Sequence, residues 1–256
     1  MKIRIVFASG LATALLLANQ SFAQEPESWT QAMAHPQAVT AVLLNGQDPG
    51  NLPSLPPELL KMTNLQSLNI SCMEKLERLP AEISQLSKLE SISIDEGNGC
   101  SSNVAIPASI SELKSLKSLT LYGAIDGSAV PGKASRPLPA SLAQMPSLKE
   151  LNIGRNALKQ IPEWIGTIGS LQSLNLSFNQ LKSLPPALGN LKNLQSLDVH
   201  GSGLKTLPAG LAQNANLKIE MGDNSLSKAE QAQLKAKFPK AVFSFQNEFD
   251  GEGSNQ

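Results

Sequence analysis

Residues 138 to 206 repeat one arrangement of apolar and polar positions three times: LPASLAQMPSLKELNIGRNALKQ, IPEWIGTIGSLQSLNLSFNQLKS and LPPALGNLKNLQSLDVHGSGLKT. Aligned on their LP or IP dipeptides, such stretches start at 55, 79, 106, 138, 161, 184 and 207. The last four starts are 23 residues apart, and the earlier spacings of 24, 27 and 32 carry insertions. A fixed period of this length marks stacked supersecondary units. Within each copy the LxLxx segment alternates with period two, which predicts a short strand. The proline-led stretch after it predicts an irregular or short helical return. One such unit can bury its leucines only against its neighbours, so the strands are expected to stack in parallel into a curved sheet.

The repeated L-x-x-L-x-L-x-x-N-x-L followed by L-P-x-x-[LI] resembles the leucine-rich repeat family in its 23-residue form, over residues 38–226 in about seven copies plus a degenerate first strand. The resemblance implies an α/β leucine-rich repeat solenoid with a parallel concave β-sheet, short helical or irregular convex returns and terminal caps. It also implies a concave face on which partners bind, most often proteins.

The flanks complete this plan. MKIRIVFASGLATALLLANQSFA has Lys2 and Arg4, an apolar run to about Ala18 and small residues at Ser21 and Ala23, so residues 1–23 read as a secretory signal peptide. The apolar run is shorter than the ~20 residues a membrane span needs. Residues 24–37, with an amphipathic helix from Trp29 to Ala34, read as an N-terminal cap. Residues 227–246 read as a C-terminal cap: Ser227 and Glu230 have capping-box spacing ahead of a helix to about Phe238, and AVFSF supplies a last strand. Residues 247–256 read as a disordered polar tail.

Composition narrows the chemistry. Aromatic residues make up 4% of the chain, which suits thin layers of Leu, Ile and Val. The leader carries two of the 21 basic residues, so 19 remain against 21 acidic ones, a net charge of −2 that gives no pull toward nucleic acid. Two histidines and the lack of HExxH, CxxC, phosphate-loop and GxSxG motifs leave no catalytic pattern, metal site or cofactor site to propose. Asp198 and Glu220 fall side by side on adjacent strands with His200 near them, but an open sheet gives an acid no enclosed pocket. They read as a solvated acidic end, with a calcium site through Asp198, Glu220 and Asp223 as the alternative.

Cys72 and Cys100 follow the strands of adjacent repeats, and in an exported protein they are expected to form a disulfide. Two free thiols or an intermolecular bond are the alternatives. Asn156, Asn179 and Asn224 occupy the repeat's asparagine position and read as buried amides that satisfy the turn. Met73, Gly97, Ala124 and Ser202 stand there in other copies. Strand positions between the leucines are mostly Ser, Thr and Asn. The candidate anchors among them are Tyr122, Arg155 and Phe178, with Asn152, Asn175, Asp198 and His200 supplying hydrogen bonds. Tyr122 opens the longest insertion, YGAIDGSAVPGKASRP, made locally basic by Lys133 and Arg136.

The expected protein is therefore a monomeric, non-enzymatic, protein-binding module of an exported bacterial leucine-rich repeat protein. It would be periplasmic or secreted and would recognise an envelope or host protein through its concave face. A glycan-binding protein and a structural envelope protein are the alternatives. Expression in an exporting bacterium should yield a chain whose intact mass begins at Gln24; a mass that retains Lys2 and Arg4 would refute the leader.

Overall fold

The computed structural model describes residues 2–7, 29–46, 53–96, 100, 103–125 and 136–246. The chain forms two compact units, Met1–Ser141 and Leu142–Gln256. Most of the expected signal segment, the 126–135 stretch of the long insertion with Lys133, and the tail from 247 lie outside the described residues. No helix among those described is long and apolar enough to cross a membrane.

In the first unit β2 (Val39–Asn45), β3 (Ser67–Ser71), β4 (Ser91–Asp95) and β5 (Ser118–Tyr122) pair in parallel with unbroken register. A further strand, β1 (Lys2–Phe7), pairs antiparallel with β2, and α1 (Trp29–Ala34) follows it in the chain. Alternate strand residues turn inward: Leu68 and Ile70, Ile92 and Ile94, Leu119 and Leu121 are each at most 1% exposed. Each return is a single 3-10 turn, Pro57–Lys61, Ala81–Gln85 or Ala108–Glu112, set off by an extended proline at 56, 80 or 107. Proline suits that place because its fixed φ and missing N–H stop the strand without orphaning a donor. Leu59, Ile83 and Ile110 drop from these turns into the core, each burial contributing about 2 kcal/mol.

Cys72 and Cys100 are bonded to each other, with Cα atoms 5.3 Å apart and a sequence separation of 28. Closing a loop of that length stabilises the fold by about 3–4 kcal/mol in the chain-entropy account. The sequence left free thiols and an intermolecular bond open, and the geometry selects the intramolecular pair. Glu96, 1% exposed, brings a carboxylate oxygen within 4.8 Å of both sulfurs.

In the second unit β6 (Glu150–Asn152), β7 (Ser173–Asn175), β8 (Ser196–Asp198), β9 (Lys218–Glu220) and β10 (Val242–Ser244) pair in parallel. These strands have three residues where β3, β4 and β5 have five, and beyond several of them side-chain amides take up the backbone groups. Asn179 Oδ1 accepts from the N–H groups of Asn156 (3.1 Å) and Leu158 (3.0 Å), and its Nδ2 donates to the carbonyls of Ile153 and Leu176. Asn224 does the same two repeats further along, serving Ser202, Leu204, Val199 and Met221. Backbone that would otherwise extend the ladder is thus turned onto a buried amide. Where Met73 or Ala124 stands instead, the side chain is buried and apolar and the strand runs on. On the opposite side the returns pack backbone on backbone: a Cβ on Gly189 would lie 2.7 Å from the Cα of Gly210.

The unit ends in α2 (Lys228–Lys237), started by a reciprocal capping box between Ser227 and Glu230. The Ser227 backbone N–H, with Lys205 and the Ser227 hydroxyl, holds the Glu230 carboxyl down at about 2. Leu234 and Phe238 bury the helix against the last repeat. Replacing Asn179 by Ala removes the side-chain partner of the Asn156 and Leu158 N–H groups and of the Ile153 carbonyl at once, while the Leu176 carbonyl keeps the Ser202 hydroxyl. Urea unfolding should register a loss of about 3–5 kcal/mol, and a loss under 1 kcal/mol would show that water takes over the amide's role.

Candidate functional site

Three residues in the middle of the sheet's outer face repeat one local device. Asn152 Oδ1 accepts from Gly154 N at 3.0 Å, Asn175 Oδ1 from Ser177 N at 2.9 Å, and Asp198 Oδ1 from His200 N at 3.0 Å. Each side chain closes an Asx turn on the backbone two residues on, which ends its strand. The hydrogen-bonding capacity expected to face a partner is in part spent locally. Asn175 also accepts from the Ser177 hydroxyl and donates to Asp198 Oδ2 at 3.0 Å, tying β7 to β8 through side chains.

The column just beyond each strand has a stricter requirement. Arg155, Phe178, Gly201 and Asp223 occupy it in successive repeats of the second unit, with φ of 56, 51, 58 and 53°. Backbone bonds continue through it: Arg155 N donates to Ser177 O, Phe178 N to His200 O and Gly201 N to Gly222 O. The turn imposes the left-handed conformation on whatever residue arrives there. Glycine adopts it freely, whereas a side chain costs roughly 1–2 kcal/mol.

Phe178 meets that cost and is also 37% exposed, one of two large apolar residues so exposed among those described. Its ring meets the His200 ring edge-on, with centroids 5.1 Å apart and planes at 64°. It rests on Gly201, where an added Cβ would come within 2.9 Å of the ring. Gly201 thus serves both the turn and the floor under Phe178.

His200 is the hub of the polar part. Its Nε2 stands 2.9 Å from Asp223 Oδ2, an ion pair when the ring is protonated, with the approach off the N–H axis. Gly222 leaves the space the ring needs, since a Cβ there would lie 2.7 Å from His200 Nδ1. Burial in the sheet raises the Asp198 carboxyl above its ordinary value; the His200 N–H and the His200 ring oppose this and Glu220 adds to it. Asp198, Glu220 and Asp223 do not assemble a set of potential metal ligands among the described residues. The set that forms is Cys72, Glu96 and Cys100, whose sulfurs are already bonded to each other.

The residues expected as one patch fall in two units. Tyr122 ends β5 in the first, half-buried and opposite Asp95 in the register. Asn152, Arg155, Asn175, Phe178, Asp198 and His200 lie in the second, where the contacts above join Asn175, Phe178, Asp198 and His200. Gly201 and Ser177 join this group although they were not among the expected site residues. The available signal was the glycine one repeat after Phe178 in the same column.

Models of leucine-rich repeats match residues 138–181 and, as two copies, residues 170–213. Among solved structures, internalin C2 from Listeria monocytogenes is 16% identical, with 89% of this chain and 88% of that one covered at a TM-score of 0.57. A leucine-rich repeat protein of Leptospira interrogans is 22% identical, with 88% and 71% covered at 0.51. The leucine-rich repeat domain of the type III effector XopL is 29% identical, with 66% and 56% covered at 0.53, so this chain spans about half of that one. A search of curated protein sequences finds no match. With seven sequence repeats, strands in parallel register and these likenesses, the fold is that of a leucine-rich repeat solenoid, and residues 138–213 match the leucine-rich repeat models.

A raised carboxyl means that the folded state binds the proton more tightly than the unfolded state does. Stability from Asp198 therefore falls as pH rises from its ordinary value of 3.8 through its folded value. Thermal melts should show wild type losing stability relative to Asp198→Asn as the pH rises above the ordinary value of 3.8. A difference that stays flat or grows with pH would contradict this reading of the site.

Proposed function

We propose that the chain is a non-enzymatic protein-binding module of an exported leucine-rich repeat protein, and that it holds its partner on the outer sheet face of the second unit. The observation that carries this is Phe178, which is bulky, strained at φ 51° and 37% exposed in a column where Gly201 shows that glycine suffices. Strain at a position with a cheaper alternative points to use rather than folding. Arg155, Phe178 and the acidic group of Asp198, Glu220 and Asp223 lie across four successive repeats, about 14 Å of sheet at ~4.8 Å per strand. A partner segment crossing the strands would set a carboxylate toward Arg155, an apolar group on the Phe178 ring and a basic group toward the acidic end. Arginine and aromatic anchors of this kind carry most of the energy of protein interfaces.

Export is supported by the leader-like N-terminus and by the Cys72–Cys100 bond, since disulfides persist in oxidising compartments. Recognition of an envelope or host protein belongs to the same proposal.

Replacing Phe178 by Gly separates binding from folding. Relief of strain offsets the lost ring contacts, so stability should stay within about 1 kcal/mol of wild type. Crosslinking capture from envelope extract and from host lysate should then lose any stoichiometric protein by about tenfold or more. An Asn64→Ala control in the first unit should keep it. Equal capture by the Phe178→Gly protein would refute this site.

A further inference from the structure

The first strand of the repeat sheet has an edge whose cover is the segment that export would remove. In β2 the Thr40 carbonyl accepts from Gln66 N at 2.8 Å, and just beyond the strand Gly46 N donates to Ser71 O at 3.0 Å, so even-numbered residues face β3. Alternation along a strand turns the backbone groups of Ala41, Leu43 and Asn45 the other way. There they stand opposite Val6, Arg4 and Lys2 of β1, within six antiparallel pairs running from Lys2 with Asn45 to Phe7 with Val39. Cleavage after Ala23 takes β1 away and leaves those N–H and C=O groups open. Nothing in the strand guards the edge: VTAVLLN has no charge and no proline, the usual devices against edge pairing. β10, an edge strand of the second unit, differs. It follows Lys240, and Lys235 Nζ lies 5.6 Å from the centroid of the adjoining Phe245 ring.

We infer that the processed chain closes this edge with β2 of a second copy, paired antiparallel about a two-fold axis. Polarity selects this occupant. The edge accepts an antiparallel strand in β1, whereas head-to-tail stacking of a β10 onto β2 would repeat the parallel polarity of the ladder and leave an open-ended fibre. A register centred on Leu43 sets Leu43 against Leu43 on the outer face and Val42 against Leu44 on the core face, where both are at most 1% exposed. The pairing is self-complementary and closes at two chains, in place of the monomer expected from the sequence. It rests on removal of the leader and is independent of the Phe178 site.

Sedimentation velocity over a concentration series tests it on the processed protein purified from an exporting host, with intact mass confirming the new N-terminus. The processed chain should sediment as a dimer, and the unprocessed chain, made in an oxidising cytoplasm, as a monomer. Leu43→Pro removes an outward N–H and spares the bonds to β3, so it should return the processed chain to monomer with an unchanged circular dichroism spectrum. Leu43→Lys, which opposes like charges across the axis, should do the same if proline perturbs the fold. A processed chain that is monomeric at every concentration, a dimer that survives both substitutions, or an exported chain that keeps its leader would each overturn the inference.

Discussion

A repeat of 23 residues has no interior of its own, and the structure follows from that constraint. Leu174 and Leu176 are buried only because Leu151 and Ile153 lie on one side and Leu197 and Val199 on the other. Parallel strands are the arrangement that keeps every leucine in register with the next, and they oblige the chain to return behind the sheet in each repeat. Proline starts each return because it ends a strand without leaving an orphaned donor. Paired glycines such as Gly189 and Gly210 let successive returns approach to backbone contact.

The same constraint creates the polar problem that the repeat asparagine answers. Turning out of a buried strand strands N–H and C=O groups away from water, and one amide with two donors and an acceptor can serve four of them, as Asn179 and Asn224 do. In the first unit Met73 and Ala124 occupy that position, and the unit is held instead by longer strands and by the Cys72–Cys100 bond. The amides of Asn179 and Asn224 join adjacent repeats through hydrogen bonds, whereas the disulfide joins two adjacent repeats covalently. Cys72 itself sits in the left-handed column, at φ 51°.

That column is where the scaffold meets the proposed site. In the second unit the turn after each of β6 to β9 presents one residue in the left-handed conformation, whatever its side chain. Gly123 and Gly201 occupy it at no cost, while Arg155, Phe178 and Asp223 do so against their conformational preference. The solenoid thereby holds a cation, an aromatic ring and an anion at fixed intervals on a rigid frame. Binding groups on such a frame lose little entropy when a partner docks.

The sequence by itself determined the period, the leucines of the core, the buried role of Asn156, Asn179 and Asn224, and the capping box at Ser227, because each depends on spacing along the chain. It also brought Cys72 and Cys100 into adjacent repeats, while their bonding depended on a distance. Only the tertiary structure decided the rest. Asn152, Asn175 and Asp198 look in sequence like free polar groups, and folding turns each onto the backbone two residues ahead. Phe178 stands out in sequence only as an aromatic on the open side, and folding gives it a strained backbone, a glycine floor and an edge contact with His200. The pattern of apolar residues specifies which side of the strand a residue faces; the contacts made on the open side depend on neighbours 22 or 23 residues away, which only the stacking of repeats brings together.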